Sequence, residues 1–332
     1  MNAILILFLA ALVFIVSFCT FAFYKISNAH GEQFKRADYD NINNNQSLTY
    51  SDFCLQYPRE TLKILSGAYK LQGYLYGIKN KNGLIIISSG HRVSTEAYLL
   101  DMKYFVDNGW TVLCYDYTGY YKSERKNMTD YTQAVKDLDA VLSYLEKSKR
   151  FNPMPILLYG HSLGAYVSTA VLTFHHKISA VVAASGFDKP IEQWNYSVKR
   201  FSGRMGTILG TLAAIYMYII YGKETVRFSA VDGINSTNIP VLIISGTEDE
   251  YYGGKSPVYL KKDNIMNPNC SYILMDKVRH NGHSDYTLTD KALDYQKLCK
   301  EKEISSVDRY LISEHDINYF DRINSFFLSS IN

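Results

Sequence analysis

Pro155-Ile156-Leu157-Leu158-Tyr159-Gly160-His161-Ser162-Leu163-Gly164-Ala165-Tyr166-Val167 is the stretch that decides how this chain folds. Its apolar start reads as a buried strand, Gly160-His161-Ser162-Leu163-Gly164 as a sharp turn, and Ala165 to Phe174 as a helix. In a strand–turn–helix setting, Gly-x-Ser-x-Gly holds its serine on a strained turn with the hydroxyl exposed. Side chains at 160 and 164 would collide with neighbouring backbone. The helix that follows offers unpaired N–H groups and a favourable field for a developing oxyanion. The pattern alone is weak, since three fixed residues of common type recur by chance about once in ten chains of this length. Its weight comes from the flanking elements and from two residues downstream.

Outward from the turn, strands and helices alternate. Upstream, Leu84 to Ile87 is a buried strand ending in Ser88-Ser89-Gly90-His91-Arg92. A helix is predicted from Thr95 to Asn108, stopped by Gly109, and a strand from Thr111 to Tyr115. Asp130 to Lys147 is amphipathic, with Val135, Leu138, Val141, Leu142 and Leu145 on one face. Thr61 to Ile78 alternates apolar positions with glycines, which suits an antiparallel hairpin at a sheet edge. Downstream, Ser179–Ala184, Ile239–Ser245 and Ser271–Met275 are strands, and the tail from Val307 to Leu328 is predicted helical. The alternation predicts an α/β fold, a mostly parallel sheet with helices on both faces.

The alternation breaks between Phe187 and Asn238, a gap too long for one crossover. Within it Gly206 to Tyr221 is apolar and aromatic. Its length, roughly 24 Å as a helix, is short for a membrane crossing. A helical cap insertion at about 187–238, lying over the site, is expected; a buried structural helix is the alternative.

The N-terminus reads differently. Ala3 to Tyr24 is apolar and carries no charge, and as a helix it spans roughly 33 Å, enough for a bilayer core. A cleaved signal peptide is the rival reading, with Ser27-Asn28-Ala29 as its cleavage site. However, the start lacks a basic residue and the apolar run is longer than an ordinary signal core. Residues 1–25 are therefore expected as an uncleaved transmembrane anchor, 26–58 as a polar, Asn-rich tether, and 59–332 as the α/β domain. Lys25, Lys35 and Arg36 follow the span, and the positive-inside rule would keep the globular part in the cytoplasm.

Composition excludes several classes. A net charge of +3 over 332 residues gives no nucleic-acid footprint. The five cysteines are scattered without a Cys-x-x-Cys, so neither a disulfide framework nor a zinc site is indicated. No motif calls for a metal or a cofactor. The 29 tyrosines are an excess to which the sequence alone attaches no chemistry.

Catalytic groups on parallel sheets collect beyond the carboxyl ends of the strands. Gly90-His91, Ser162, Asp249 and His283 all fall at such ends. A serine hydroxyl needs a base within hydrogen-bond reach, a histidine can carry its proton, and a carboxylate orients the imidazole. Ser162 is the candidate nucleophile, Asp249 the acid and His283 the base. Glu248 and Glu250 flank the acid, and His280 competes for the base; Gly282 favours His283 by permitting a tight loop. The backbone N–H groups of His91 and Leu163 are the candidate oxyanion donors. His161 is expected to pack and hydrogen-bond, and His175-His176 to cap a helix in solvent.

Ser-Gly-His-Arg at 89–92, Asp-Tyr-Thr-Gly-Tyr-Tyr-Lys-Ser at 116–123, Gly-His-Ser-Leu-Gly at 160–164, Gly-Thr-Glu-Asp at 246–249 and Gly-His-Ser at 282–284 together resemble the α/β-hydrolase superfamily. They are most similar to its serine aminopeptidase and monoacylglycerol-lipase-like branch, over residues 60–330. Two motifs depart from that pattern: Ser89-Gly90 stands for the usual His-Gly, and Gly119-Tyr120-Tyr121-Lys122-Ser123 for Gly-Tyr-Gly-x-Ser. The resemblance implies a serine hydrolase, and the N-terminal anchor and apolar cap add the expectation of a membrane-anchored enzyme acting on small or lipid-like esters. An amidase or aminopeptidase would need a cap carboxylate for the substrate amine, for which Glu192 and Glu224 are available. A non-catalytic binding module of the same fold is the reading from another class.

Overall fold

The computed structural model describes residues 3–33, 48–125, 131–151, 154–202, 208, 210–212, 215, 218, 219, 222, 227–304 and 306–331, without the side chains of 19, 20, 22–33, 149 and 197–202. Eight strands form one sheet: β1 (Arg59–Ser66), β2 (Tyr69–Tyr76), β3 (Leu84–Ser88), β4 (Thr111–Tyr115), β5 (Ile156–His161), β6 (Ala180–Ala184), β7 (Val241–Gly246) and β8 (Cys270–Met275), in the spatial order β1-β2-β4-β3-β5-β6-β7-β8. The β1–β2 hairpin and the β2–β4 contact are antiparallel, and every other pairing is parallel. The strands β3 to β7 lie buried along their whole length, except for His161 at the end of β5. That is why they read as continuous apolar runs rather than as alternation.

Successive residues of β5 feed opposite faces. Leu158 joins Ile86, Val181 and Ile243 beneath α3 (Tyr131–Lys147) and α4 (Leu163–Ala170). Leu157 and Tyr159 join Ile87, Val182 and Ile244 beneath α2 (Leu99–Asp107) and the C-terminal helix Ile317–Ile331, which contributes Phe320 and Phe327. Register aligns the strand ends: Ser88 pairs with Gly160, and His161 with Ala184. The loops that follow these strands therefore open on one edge of the sheet.

Some elements differ from expectation. The helix expected over Thr95–Asn108 is a 3-10 turn, Thr95–Tyr98, capped by Ser94, followed by α2. The helix after Ser162 starts at once, at Leu163, and tightens into a 3-10 turn over Val171–Phe174. In the tail only Ile317–Ile331 is α-helical, and a helix over Asp290–Glu301, capped by Thr289, has no counterpart in the sequence reading.

At the N-terminus, α1 runs from Ala3 to Gln33 with apolar side chains exposed, among them Ile4, Leu7, Phe8 and Phe14. The unbroken run of described side chains in α1 ends at Phe18, after ~24 Å of helix. No helix among the described residues is long and apolar enough to cross a membrane. Residues 48–58 dock on the sheet domain: Phe53 is buried, Asp52 accepts two hydrogen bonds from Arg309, and Arg59 lies 3.6 Å above the Tyr50 ring.

The insertion after β6 opens with α5 (Pro190–Ser202) and closes with a helix at Ala230–Asn235. Most of the expected cap helix at 206–221 falls outside the described residues; positions 208, 210–212, 215, 218 and 219 are helical. Both ends of the insertion are gathered on Asp188. One carboxylate oxygen accepts from the Ser229 hydroxyl and the Val231 N–H, and the other from Lys261, 2.7 Å away.

Candidate active site

Ser162 sits between β5 and α4 with φ 57° and ψ −116°, a conformation that L-residues avoid. The strain is held because the Ser162 N–H bonds to the Ala184 carbonyl at 2.8 Å and α4 starts directly behind. A Cβ at Gly160 would lie 2.1 Å from the Gly164 oxygen, and one at Gly164 would lie 1.9 Å from the Ser88 oxygen. Both glycines are thus required by close backbone approach, as the spacing predicts. The Leu163 N–H belongs to the first turn of α4, where amides lack intrahelical partners.

Asp249 and His283 come from the loops after β7 and β8. Asp249 is completely buried, and its Oδ2 lies 2.6 Å from His283 Nδ1. Its other oxygen accepts from the Tyr251 N–H at 3.0 Å. With Nδ1–H committed to the carboxylate, the Nε2 lone pair is the basic atom of His283. The loop approaches this closely because Gly246 has no side chain: a Cβ there would stand 2.2 Å from the Asn281 oxygen. Glu250 accepts from the His283 N–H, and the His283 carbonyl accepts from Ser185 Oγ and His161 Nε2. Tyr251 and Tyr252 pack their rings on the imidazole, with centroids 4.5 and 5.8 Å away. The Tyr252 hydroxyl also meets the Ser162 side chain.

The rival residues go elsewhere. His280 points its Nε2 to Asp290, 2.8 Å away, and Glu248 bonds through its N–H to Asn281. His161 is half-buried beside His283, and burial followed by that neighbour lowers its pKa to about 3, so it donates as a neutral ring. The His91 ring is held between the Tyr120 hydroxyl and the Arg92 side chain. His175 caps its 3-10 turn in the left-handed region, as expected. His176 is not a solvated cap: its two nitrogens bond to Asp139 and Glu146 of α3, which ties that helix to the start of β6. Of the two cap carboxylates, Glu192 is paired with Lys261 at 2.5 Å, and Glu224 lies outside the described residues. Among the described residues no group of His, Cys, Asp and Glu could hold a metal ion. Sequence reasoning did not find Ser185, Tyr252 or Lys261, because no motif links them to the site, and it placed Glu250 only as a rival to Asp249.

This sheet order, with a serine elbow after β5 and a buried Asp–His pair after β7 and β8, is the arrangement of the α/β-hydrolase fold. Residues 79–224 match the family model "Serine aminopeptidase, S33", so this part of the chain is similar to α/β-hydrolases. It is similar to the polyketide transferase ATR5 of Stachybotrys chlorohalonatus, 29% identical over 118 residues, which is 35% of this chain and 40% of that protein. Less than half the length of that relative is therefore matched. Among solved structures, the esterase Pf2001 of Pyrococcus furiosus superposes with a TM-score of 0.58 at 19% identity, covering 84% of this chain and 93% of its own. Est1E of Butyrivibrio proteoclasticus, solved with ferulic acid bound, gives 0.54 at 18% identity, covering 81% of this chain and 99% of its own. At such identities the likeness speaks for the fold.

Proposed function

We propose that this protein hydrolyses carboxylic esters of lipid-like or other apolar acyl groups through an acyl-enzyme on Ser162. The observation that carries the proposal is the buried 2.6 Å contact between His283 Nδ1 and Asp249 Oδ2, together with a serine held in a strained turn at a helix N-terminus. In this reading Ser162 Oγ attacks the ester carbonyl, and His283 Nε2 takes its proton and returns it to the leaving alcohol. Asp249 fixes the tautomer and stabilises the imidazolium, and water then releases the acyl group by the same route. The N–H groups of His91 and Leu163 receive the oxyanion.

An apolar acyl group is favoured by what surrounds the site. Tyr131 meets the His91 ring edge-on at 5.1 Å, and Trp194 of α5 stacks on Tyr131. Tyr196 packs on Tyr252. Farther along the insertion, Ile208, Ile215 and Ile219 are exposed. They and the exposed apolar side chains of α1 support a membrane-anchored enzyme that meets its substrate at a lipid surface. The aminopeptidase reading is weakened by the Glu192–Lys261 pair, which occupies one of its two candidate carboxylates.

The test is labelling with a fluorophosphonate probe in wild type and Ser162→Ala, then hydrolysis of p-nitrophenyl esters of rising chain length. Labelling that vanishes in the variant and a rate optimum beyond acetate are expected. A well-folded wild-type protein that takes no label would overturn the mechanism and leave a non-catalytic binding module.

A further inference from the structure

Four tyrosine hydroxyls converge on four consecutive residues of the loop after β3. Tyr117 donates to the Ser89 carbonyl at 3.1 Å, and Tyr98 accepts from the Gly90 N–H at 2.8 Å. Tyr120 accepts from the Arg92 N–H at 3.2 Å, and Tyr121 donates to the Arg92 carbonyl at 3.1 Å. We propose that Tyr98 and Tyr120 are positioning residues that lock the His91 peptide so that its N–H faces the oxyanion. The inference rests on the serine hydrolase reading above and extends it to groups that never touch the substrate.

The geometry around His91 carries the argument. The amides on either side of it, Gly90 and Arg92, are both taken by tyrosine oxygens, which fixes the two peptides that flank the one carrying the His91 N–H. Arg92 has φ 60°, a strained value for a side-chain-bearing residue, and Tyr120 and Tyr121 hold it at both its N–H and its carbonyl. The ring of His91 is locked as well. The Arg92 guanidinium is always protonated, so its Nε–H donates to His91 Nε2. His91 Nδ1 must then carry the ring proton and donate to Tyr120 Oη, 2.9 Å away. One phenolic oxygen thus fixes both the backbone of Arg92 and the side chain of His91.

The clamp has a rigid footing. Tyr117, Tyr120 and Tyr121 lie on the Asp116–Ser123 segment. Asp116 is buried against Tyr74 and Thr95, Ser123 Oγ closes on the Asp116 carbonyl at 2.6 Å, and Asp137 of α3 takes the N–H and hydroxyl of Thr118. Tyr98 comes from the other side, at the end of the 3-10 turn before α2. Tyr121, where the chain departs from Gly-Tyr-Gly-x-Ser, thus holds the same loop that carries the other departure, at Ser89.

Tyr98→Phe, Tyr120→Phe and the double variant test this, with Tyr104→Phe as control, since its hydroxyl bonds to Asp321 on the C-terminal helix. Active sites are first counted by complete fluorophosphonate labelling. Per active site, kcat on a p-nitrophenyl ester is expected to fall about 10- to 100-fold with KM changed less than about threefold, because removing an oxyanion donor outright costs 10²–10³. Inhibition by a trifluoromethyl ketone, which forms an oxyanion on the serine, is expected to weaken by the same factor, while the matching methylene ether binds as before. A kcat per active site within threefold of wild type in the double variant would overturn the inference, as would a loss of kcat with an unchanged ketone constant. A loss that only tracks the number of labelled sites would assign the tyrosines to stability and overturn it too. A wild-type protein that neither labels nor hydrolyses any ester would instead fell the hydrolase reading, and this one with it.

Discussion

His161 Nε2–H donates to the main-chain oxygen of His283, 3.0 Å away, with the two rings 4.9 Å apart. The residue beside the candidate nucleophile thus holds the loop that carries the candidate base. Ser185 Oγ donates to the same oxygen at 2.9 Å, and Tyr286 in turn bonds to Ser185. The ends of β5 and β6 therefore fix where the imidazole stands, while Asp249 fixes how it is turned.

The His161 contact makes stability depend on acid in a defined direction. Its pKa is 6.5 in the unfolded chain and about 3 in the fold, depressed by burial and then by His283. Between these values the unfolded chain binds the extra proton, so the His161 contribution is complete above 6.5 and is lost as pH falls. Relative to His161→Gln, wild-type stability should decline by about 1.4 kcal/mol per pH unit below 6.5 and stay level above it. Asp101 and Asp116, raised by burial to about 7, have the opposite slope but cancel in the comparison. Urea unfolding of both proteins from pH 4 to 8 measures the gap. A gap independent of pH would mean that His161 is not held neutral.

Asp249 and Glu250 both touch His283, but at different atoms. Asp249 faces the ring and Glu250 the backbone N–H. Asp249→Asn should lower kcat by about 10⁴ with the protein still folded, because the imidazole loses its tautomeric control. Glu250→Gln keeps an acceptor and should cost about tenfold or less. Equal losses in the two variants, measured on the same ester, would reverse the assignment of the acid.

How much of this was legible in the sequence follows from the range of each interaction. The strands were legible because both faces of the sheet are buried, which leaves apolar runs such as Leu84–Ile87 and Val241–Ile244. Ser162, Asp249 and His283 were legible as candidates because each stands just past such a run. The Asp290–Glu301 helix was missed because only Ala292 and Cys299 in it are buried, too few for an apolar stripe. Ser185, Lys261 and the tyrosine clamp were invisible because their partners lie many residues away, and a side-chain hydrogen bond imposes no spacing on the chain. The excess of tyrosine was plain in the composition, but only the fold brings four hydroxyls to one loop.

The base of the cap depends on one cation. Lys261 faces Asp188, whose side chain is 3% exposed, and Glu192, which is less buried. Burial alone would raise the Asp188 pKa, yet the hydrogen bonds from Lys261, Ser229 and the Val231 amide hold it below its usual value. Removing the cation leaves a buried carboxylate with less compensation, so Lys261→Met should destabilise the protein by about 2 kcal/mol. The change should appear as a lower urea midpoint with an unchanged m-value. Asp188→Asn in the Lys261→Met background should recover part of the loss, since it removes the stranded charge. No recovery would show that Lys261 acts through its packing alone.

The first helix gives the last prediction. Its side chains from Ile4 to Phe18 are exposed and, apart from Ser17, apolar, so in water they would seek cover, and a bilayer supplies it. The full-length protein should float with liposomes in a density gradient, and a variant lacking residues 1–33 should stay at the bottom. On a short soluble ester the two should agree within about twofold in kcat, because the site is built entirely from residues beyond Leu48. On a long-chain ester presented in vesicles, the truncated form should be slower by tenfold or more, since it must find the surface anew at each encounter. Flotation of the truncated form would shift the anchoring to the exposed Ile208, Ile215 and Ile219. Equal rates on vesicles without flotation would remove the lipid surface from the proposed function, leaving a hydrolase of dissolved esters.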